Sequence, residues 1–125
     1  MERDLDALEA RTMAFAVAVY DLCRVGSRQL HLRSPFFQVG DAAGSVASNH
    51  RAMRRARSTR EFAAKLKIVH EEADEAVHWL ELIRQSNRDA DVASRLDGLI
   101  AEGSRLRNLF GRARATTRRR FPPRQ

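Results

Sequence analysis

The chain has 125 residues, of which 43% are hydrophobic and 31% charged, with six Gly, three Pro and one cysteine. That balance fits one helical globular domain and excludes a disordered chain, an intramolecular disulfide and a cysteine-based zinc cluster. The formal charge of +7 is uneven: residues 103–125 hold eight Arg and no acid, leaving 15 basic and 16 acidic groups, or −1, in the rest. The N-terminus reads Met-Glu-Arg-Asp-Leu-Asp, and no window approaches the ~18 consecutive apolar residues of a membrane span. A cytoplasmic protein in a reducing compartment, with no membrane partner, is expected.

Four segments carry apolar or small residues at alternating spacings of three and four, the seam a helix buries against neighbours in a bundle. The first is Leu5, Leu8, Thr12, Phe15, Val19 and Leu22, and Cys23 beside it reads as a small hydrophobe. A second seam runs Phe36, Val39, Ala43, Val46, His50 and Met53. Ser34-Pro35 before it predicts a capping hydroxyl followed by proline at the first helical position. Gly40, Gly44 and Ser48, four apart, leave room on this helix for close approach by another backbone. His50 on the seam is expected to be a hydrogen-bonded interior or interface residue.

Phe62, Leu66, Val69, Ala73, Ala76, Leu80 and Ile83 form the third seam, opened by Ser58-Thr59-Arg60-Glu61 with the spacing of a capping box. The fourth is Val92, Leu96, Leu99, Gly103, Leu106 and Phe110, capped by Asn87 or Asp89. These patterns predict helices over about 4–25, 35–55, 59–86 and 89–115, and the short connections make successive helices antiparallel. The predicted fold is all-α: an up-down-up-down four-helix bundle over 1–115, followed by a basic, disordered tail over 116–125.

Basic residues concentrate in two places. Residues 51–67 contain Arg51, Arg54, Arg55, Arg57, Arg60, Lys65 and Lys67 against Glu61 alone, with Glu71, Glu72, Asp74 and Glu75 just downstream. The C-terminal segment adds Arg112, Arg114, Arg118, Arg119 and Arg120. Arginines along a helix end and a tail can neutralise phosphates and release counterions, so these twelve residues are the candidate nucleic-acid contacts. The bland alternative is a solvated face, or arginines that pair with acids such as Glu71 and Glu75 within or between subunits. Aromatic residues are few, and Tyr20 and Trp79 read as packing residues rather than stacking platforms.

Ser45-Val46-Ala47-Ser48-Asn49, Arg57-Ser58-Thr59-Arg60-Glu61-Phe62 and Trp79-Leu80-Glu81-Leu82-Ile83 together resemble a bacterial family. Its members are four-helix-bundle proteins first noticed as open reading frames in intervening sequences of large-subunit ribosomal RNA genes. The resemblance covers about 40 residues of the second and third helices and extends weakly to Tyr20-Asp21-Leu22. It implies a homopentamer. Through related accessory proteins of diversity-generating retroelements, it also implies nucleic-acid binding and a reverse transcriptase partner. Many members continue with Ala-Glu-Gly and Gly-Arg after the Ser-Asn pair, whereas this chain has Arg51-Ala52-Met53-Arg54-Arg55, closer to an Arg-rich branch.

Chemistry beyond charge is thin. His70, Asp74 and His78 are spaced by four, and Glu75-x-x-His78 has the form of half a carboxylate-bridged di-metal site. Such a site needs a second copy and two further Glu residues facing inward; there is no second copy, and His78 falls opposite the seam. No phosphate loop, nucleophile elbow or Cys-His pair occurs. No catalytic residue, metal or cofactor is therefore expected. The sequence predicts a non-catalytic, oligomeric nucleic-acid-binding or reverse-transcriptase accessory protein. The alternative is a structural or protein-interaction scaffold whose arginines stabilise the oligomer.

Overall fold

A computed structural model describes residues 2–122 and consists of four helices and one short turn: α1 (Glu2–Gly26), a 3₁₀ turn (Leu30–Leu32), α2 (Arg33–Arg54), α3 (Thr59–Ser86) and α4 (Ala90–Arg120). Each helix packs on the next, and α1 closes the bundle against α4. Antiparallel order is visible in the side-chain pairs: Arg84 meets Asp97, Asp74 meets Arg107 and His70 meets Arg114, one number falling as the other rises.

The four seams become the core. Phe15, Val19 and Leu22 of α1 and Val39, Ala43 and Val46 of α2 meet Leu66, Val69, Leu80 and Ile83 of α3 and Leu96, Leu106 and Phe110 of α4. Burial of these side chains, worth about 1.5–3 kcal/mol for each Val, Leu, Ile or Phe, is what aligns helices of such mixed surface polarity. Gly103 is buried because Val77 and Phe15 crowd it: a Cβ there would stand 3.1 Å and 3.2 Å from them. The predicted room beside Gly40 and Gly44 is taken by side chains of α1 rather than by another backbone: Cys23 Sγ and Tyr20, itself 57% exposed, at Gly40 and the Tyr20 hydroxyl at Gly44.

Local signals fix the helix ends. Ser58 Oγ accepts the Glu61 N–H at 3.0 Å and Asp89 accepts the Val92 N–H at 3.0 Å, each satisfying a donor the helix leaves free. Asn87 instead ends α3, where its Oδ1 takes the Asp89 N–H at 3.1 Å and the Gln29 amide at 2.8 Å. Gln29 in turn accepts the Arg88 N–H at 3.0 Å. The α1–α2 connection thereby clasps the α3–α4 turn at one end of the bundle.

Two boundaries depart from expectation. Helix α2 starts at Arg33, with Leu32 as its cap and no side-chain capping bond, so Ser34 does not cap it. Leu32 is buried, which draws the 3₁₀ turn straight into the helix, and Pro35 falls in the first turn, where no N–H is required. Helix α4 continues five residues beyond Ala115, to Arg120, where a disordered tail was predicted. Arg is a good helix former, and nothing breaks the helix before the pair Pro122-Pro123, which disfavours helical backbone in the residue ahead of it. The remainder of the predicted tail, 123–125, lies outside the described residues.

Candidate nucleic-acid interface

Up-down-up-down topology brings the end of α2, the start of α3 and the end of α4 to one pole, opposite the Gln29–Asn87 clasp. Both basic segments of the sequence therefore converge, although more than 40 residues separate Lys67 from Arg112. Between the first turns of α3 and the last turns of α4 lies a groove of about 1020 Å³. Its walls carry Arg60 and Lys67 from α3 and Arg114, Arg118 and Arg120 from α4, without a single acid among the described residues. Thr59, Thr117 and Phe121 complete the polar and aromatic part of the lining.

The twelve predicted contacts divide by what holds them. Arg60, Arg118 and Arg120 are exposed and pair with no acid among the described residues, while Lys67 stands 3.9 Å from Glu71 one turn on. Arg114 is half-buried and donates to His70 Nδ1 at 3.2 Å, which fixes its guanidinium at the groove wall. Arg119 leans on the Thr116 hydroxyl at 3.4 Å, outside the groove lining. Arg51, Arg55 and Arg112 are exposed at the same pole, Lys65 is half-buried, and Arg57 reaches Glu61 at 3.9 Å.

Arg54 behaves differently. Its side chain is only 17% exposed and bonds Asp6 at 2.8 Å and Glu9 at 3.3 Å, both on α1. These hydrogen bonds raise its pKa, that to Asp6 most. The intramolecular pairing that the sequence offered as the alternative is thus realised by Arg54, with acids of α1 rather than with Glu71 or Glu75. Phe121, in the segment read as disordered, was missed as a groove residue. Its N–H donates to Thr117 O at 2.8 Å, so it is held at the end of α4, and the one signal in the sequence was an aromatic directly after three arginines.

Other polar groups have local duties. His70 goes to Arg114, Asp74 stands 3.7 Å from Arg107, Glu75 accepts the Trp79 indole N–H at 3.2 Å, and His78 stacks edge-on against Trp79. Among the described residues no three His, Cys, Asp or Glu side chains converge as a metal site requires. Burial pushes the Cys23 thiol up to about 11 while its Sγ donates to Phe36 O at 3.2 Å, so little thiolate forms at neutral pH. No described helix is long and apolar enough to cross a membrane.

His50 corrects a prediction. It is fully buried on the α2 seam, as its position implies, yet neither ring nitrogen has a hydrogen-bond partner among the described residues. Its nearest aromatic neighbour is Phe110, with ring centroids 5.9 Å apart. Burial lowers its pKa, opposed by nearby Glu9 and reinforced by Arg54.

The sequence matches no protein-family profile and no curated protein. Among solved structures, the chain shares its fold with a protein of unknown function from the S23 ribosomal protein family of Bacteroides thetaiotaomicron. The TM-score is 0.74 at 20% identity, covering 85% of this chain and 96% of that one. At this identity the likeness establishes the four-helix bundle as a shared architecture.

Proposed function

We propose that this protein is a non-catalytic nucleic-acid-binding protein that grips the phosphate backbone in the groove between the start of α3 and the end of α4. One observation carries the reading: five basic side chains from two distant segments line a single groove that no acid among the described residues enters. A face kept basic by chance would be expected to admit neighbouring acids, as the Arg54 site does. Backbone contact of this kind releases counterions and gives binding that weakens steeply with salt.

The family resemblance supports an oligomeric form, a homopentamer, with a reverse transcriptase as protein partner. Met13, Val17 and Tyr20, each more than half exposed, fall at spacings of four and three along one stripe of α1 and suit an apolar subunit contact. Repeating the groove around a ring multiplies modest affinity. The scaffold reading draws support from Arg11, Arg54 and Arg84, which tie helices together through Glu102, Asp6 with Glu9, and Asp97.

The test is fluorescence anisotropy with labelled RNA and DNA across a salt series, on material whose mass is fixed by light scattering. Replacing Arg60, Arg118 and Arg120 together by alanine is expected to weaken binding to every sequence alike and to flatten the salt slope. For duplex DNA the slope falls by about 0.9 for each phosphate that is no longer neutralised. Helicity should be unchanged because all three side chains are exposed. Absence of binding at low salt by the native chain would sink the proposal and leave the scaffold, and a monomeric mass would remove the oligomer from it.

A further inference from the structure

The geometry points to a single strand, with its bases unstacked, as the nucleic acid this groove accepts: Arg60, Lys67, Arg114, Arg118 and Arg120 hold the phosphates and Phe121 stacks on a base. This rests on the phosphate-binding reading of the same groove and adds which form of nucleic acid enters it.

Phe121 is the observation that separates the two forms. It is 57% exposed, lines the groove beside Pro122 and Arg118, and is anchored through its N–H to Thr117 O at 2.8 Å. A large aromatic ring held out in water by a hydrogen-bonded backbone contributes little to the core of its own chain. Amid arginines, it presents what a base seeks, a π-face next to counter-charge for the adjoining phosphate. Within a duplex both faces of every interior base are covered by neighbours, so the ring gains nothing; a single strand leaves base faces open. Pro122 follows immediately and restricts the backbone on the C-terminal side of the ring, which lowers the entropy cost when a base docks.

The experiment compares one mixed-sequence 12-nucleotide strand, made as RNA and as DNA, with the same strands annealed to their complements. Binding of the full-length protein is followed by anisotropy at two salt concentrations. Phe121→Ala is expected to weaken single-strand binding by about 5- to 150-fold, the range for removal of one base–aromatic stack, while leaving duplex binding and the salt slope unchanged. Phe121→Trp should restore the single-strand affinity, and the RNA and DNA arms show which sugar the groove prefers. If Phe121→Ala changes both forms by the same factor, or neither, the stacking assignment is overturned while phosphate binding stands. If the native protein binds neither form at low salt, the groove reading falls and this inference falls with it.

Discussion

His50 fills a core position where its ring is hidden from water and both nitrogens lack partners among the described residues. Leaving a buried polar group unpaired costs about 1–3 kcal/mol, so an apolar side chain of similar bulk should do better. His50→Leu is therefore expected to raise the thermal midpoint at pH 7.5. The pH dependence has a definite sign. In the unfolded chain the imidazole takes up a proton near its ordinary 6.5, whereas burial in the bundle delays protonation to lower pH. Between those two values the unfolded state binds more protons, so stability is complete above about 6.5 and declines as acid is added until the folded pKa is passed. Urea melts at pH 7.5, 6.0 and 5.0 should show this decline in the native chain and its loss in His50→Leu. Glu102, held below its ordinary 4.5 chiefly by its hydrogen bond from Arg11, makes a contribution that fades only at more acid pH, so the two effects are separable. A parallel pH profile for both proteins would mean that His50 is solvated in solution.

At the level of helices, side-chain spacing carried most of the fold. The 3–4 seams named the buried faces because a helix has one way to hide an apolar stripe, and Ser58 and Asp89 marked true starts because their oxygens meet free N–H groups. Ends set by tertiary contact were not legible: buried Leu32 moved the start of α2 upstream, and half-buried Thr116 and Thr117 accompany α4 past its expected end. Gly26 is an instructive terminus. It closes α1 without a positive φ, so its lack of a side chain answers to packing rather than to backbone conformation. The Phe36 ring lies where its Cβ would be, and Phe36 is itself in the core. Gly26→Ala should cost about 1–3 kcal/mol through displacement of that ring, and relief by Phe36→Leu in the double variant would locate the clash. A neutral Gly26→Ala in chemical denaturation would show that the α1–α2 corner yields freely.

Across the whole molecule, charge is sorted rather than merely abundant. The sequence disclosed two basic segments but not their meeting, because convergence depends on which helix ends share a pole. Nor could it show that Arg54, lying inside the densest run, is turned toward α1. The same pole carries Asp6 and Glu9 beside α2 and the acid-free groove between α3 and α4. The α1 acids thus restrain one arginine and lower the positive potential of the pole. Converting Asp6→Asn and Glu9→Gln together removes two negative charges and frees Arg54. Nucleic-acid affinity should then rise and its salt dependence steepen. The thermal midpoint should fall, because the partly covered guanidinium is deprived of both charged partners. Opposite movement of binding and stability in one variant is a signature that general unfolding cannot mimic, since unfolding would depress both. Unchanged affinity with a lowered midpoint would confine Arg54 and the α1 acids to holding the bundle together, with the groove acting independently of the rest of the pole.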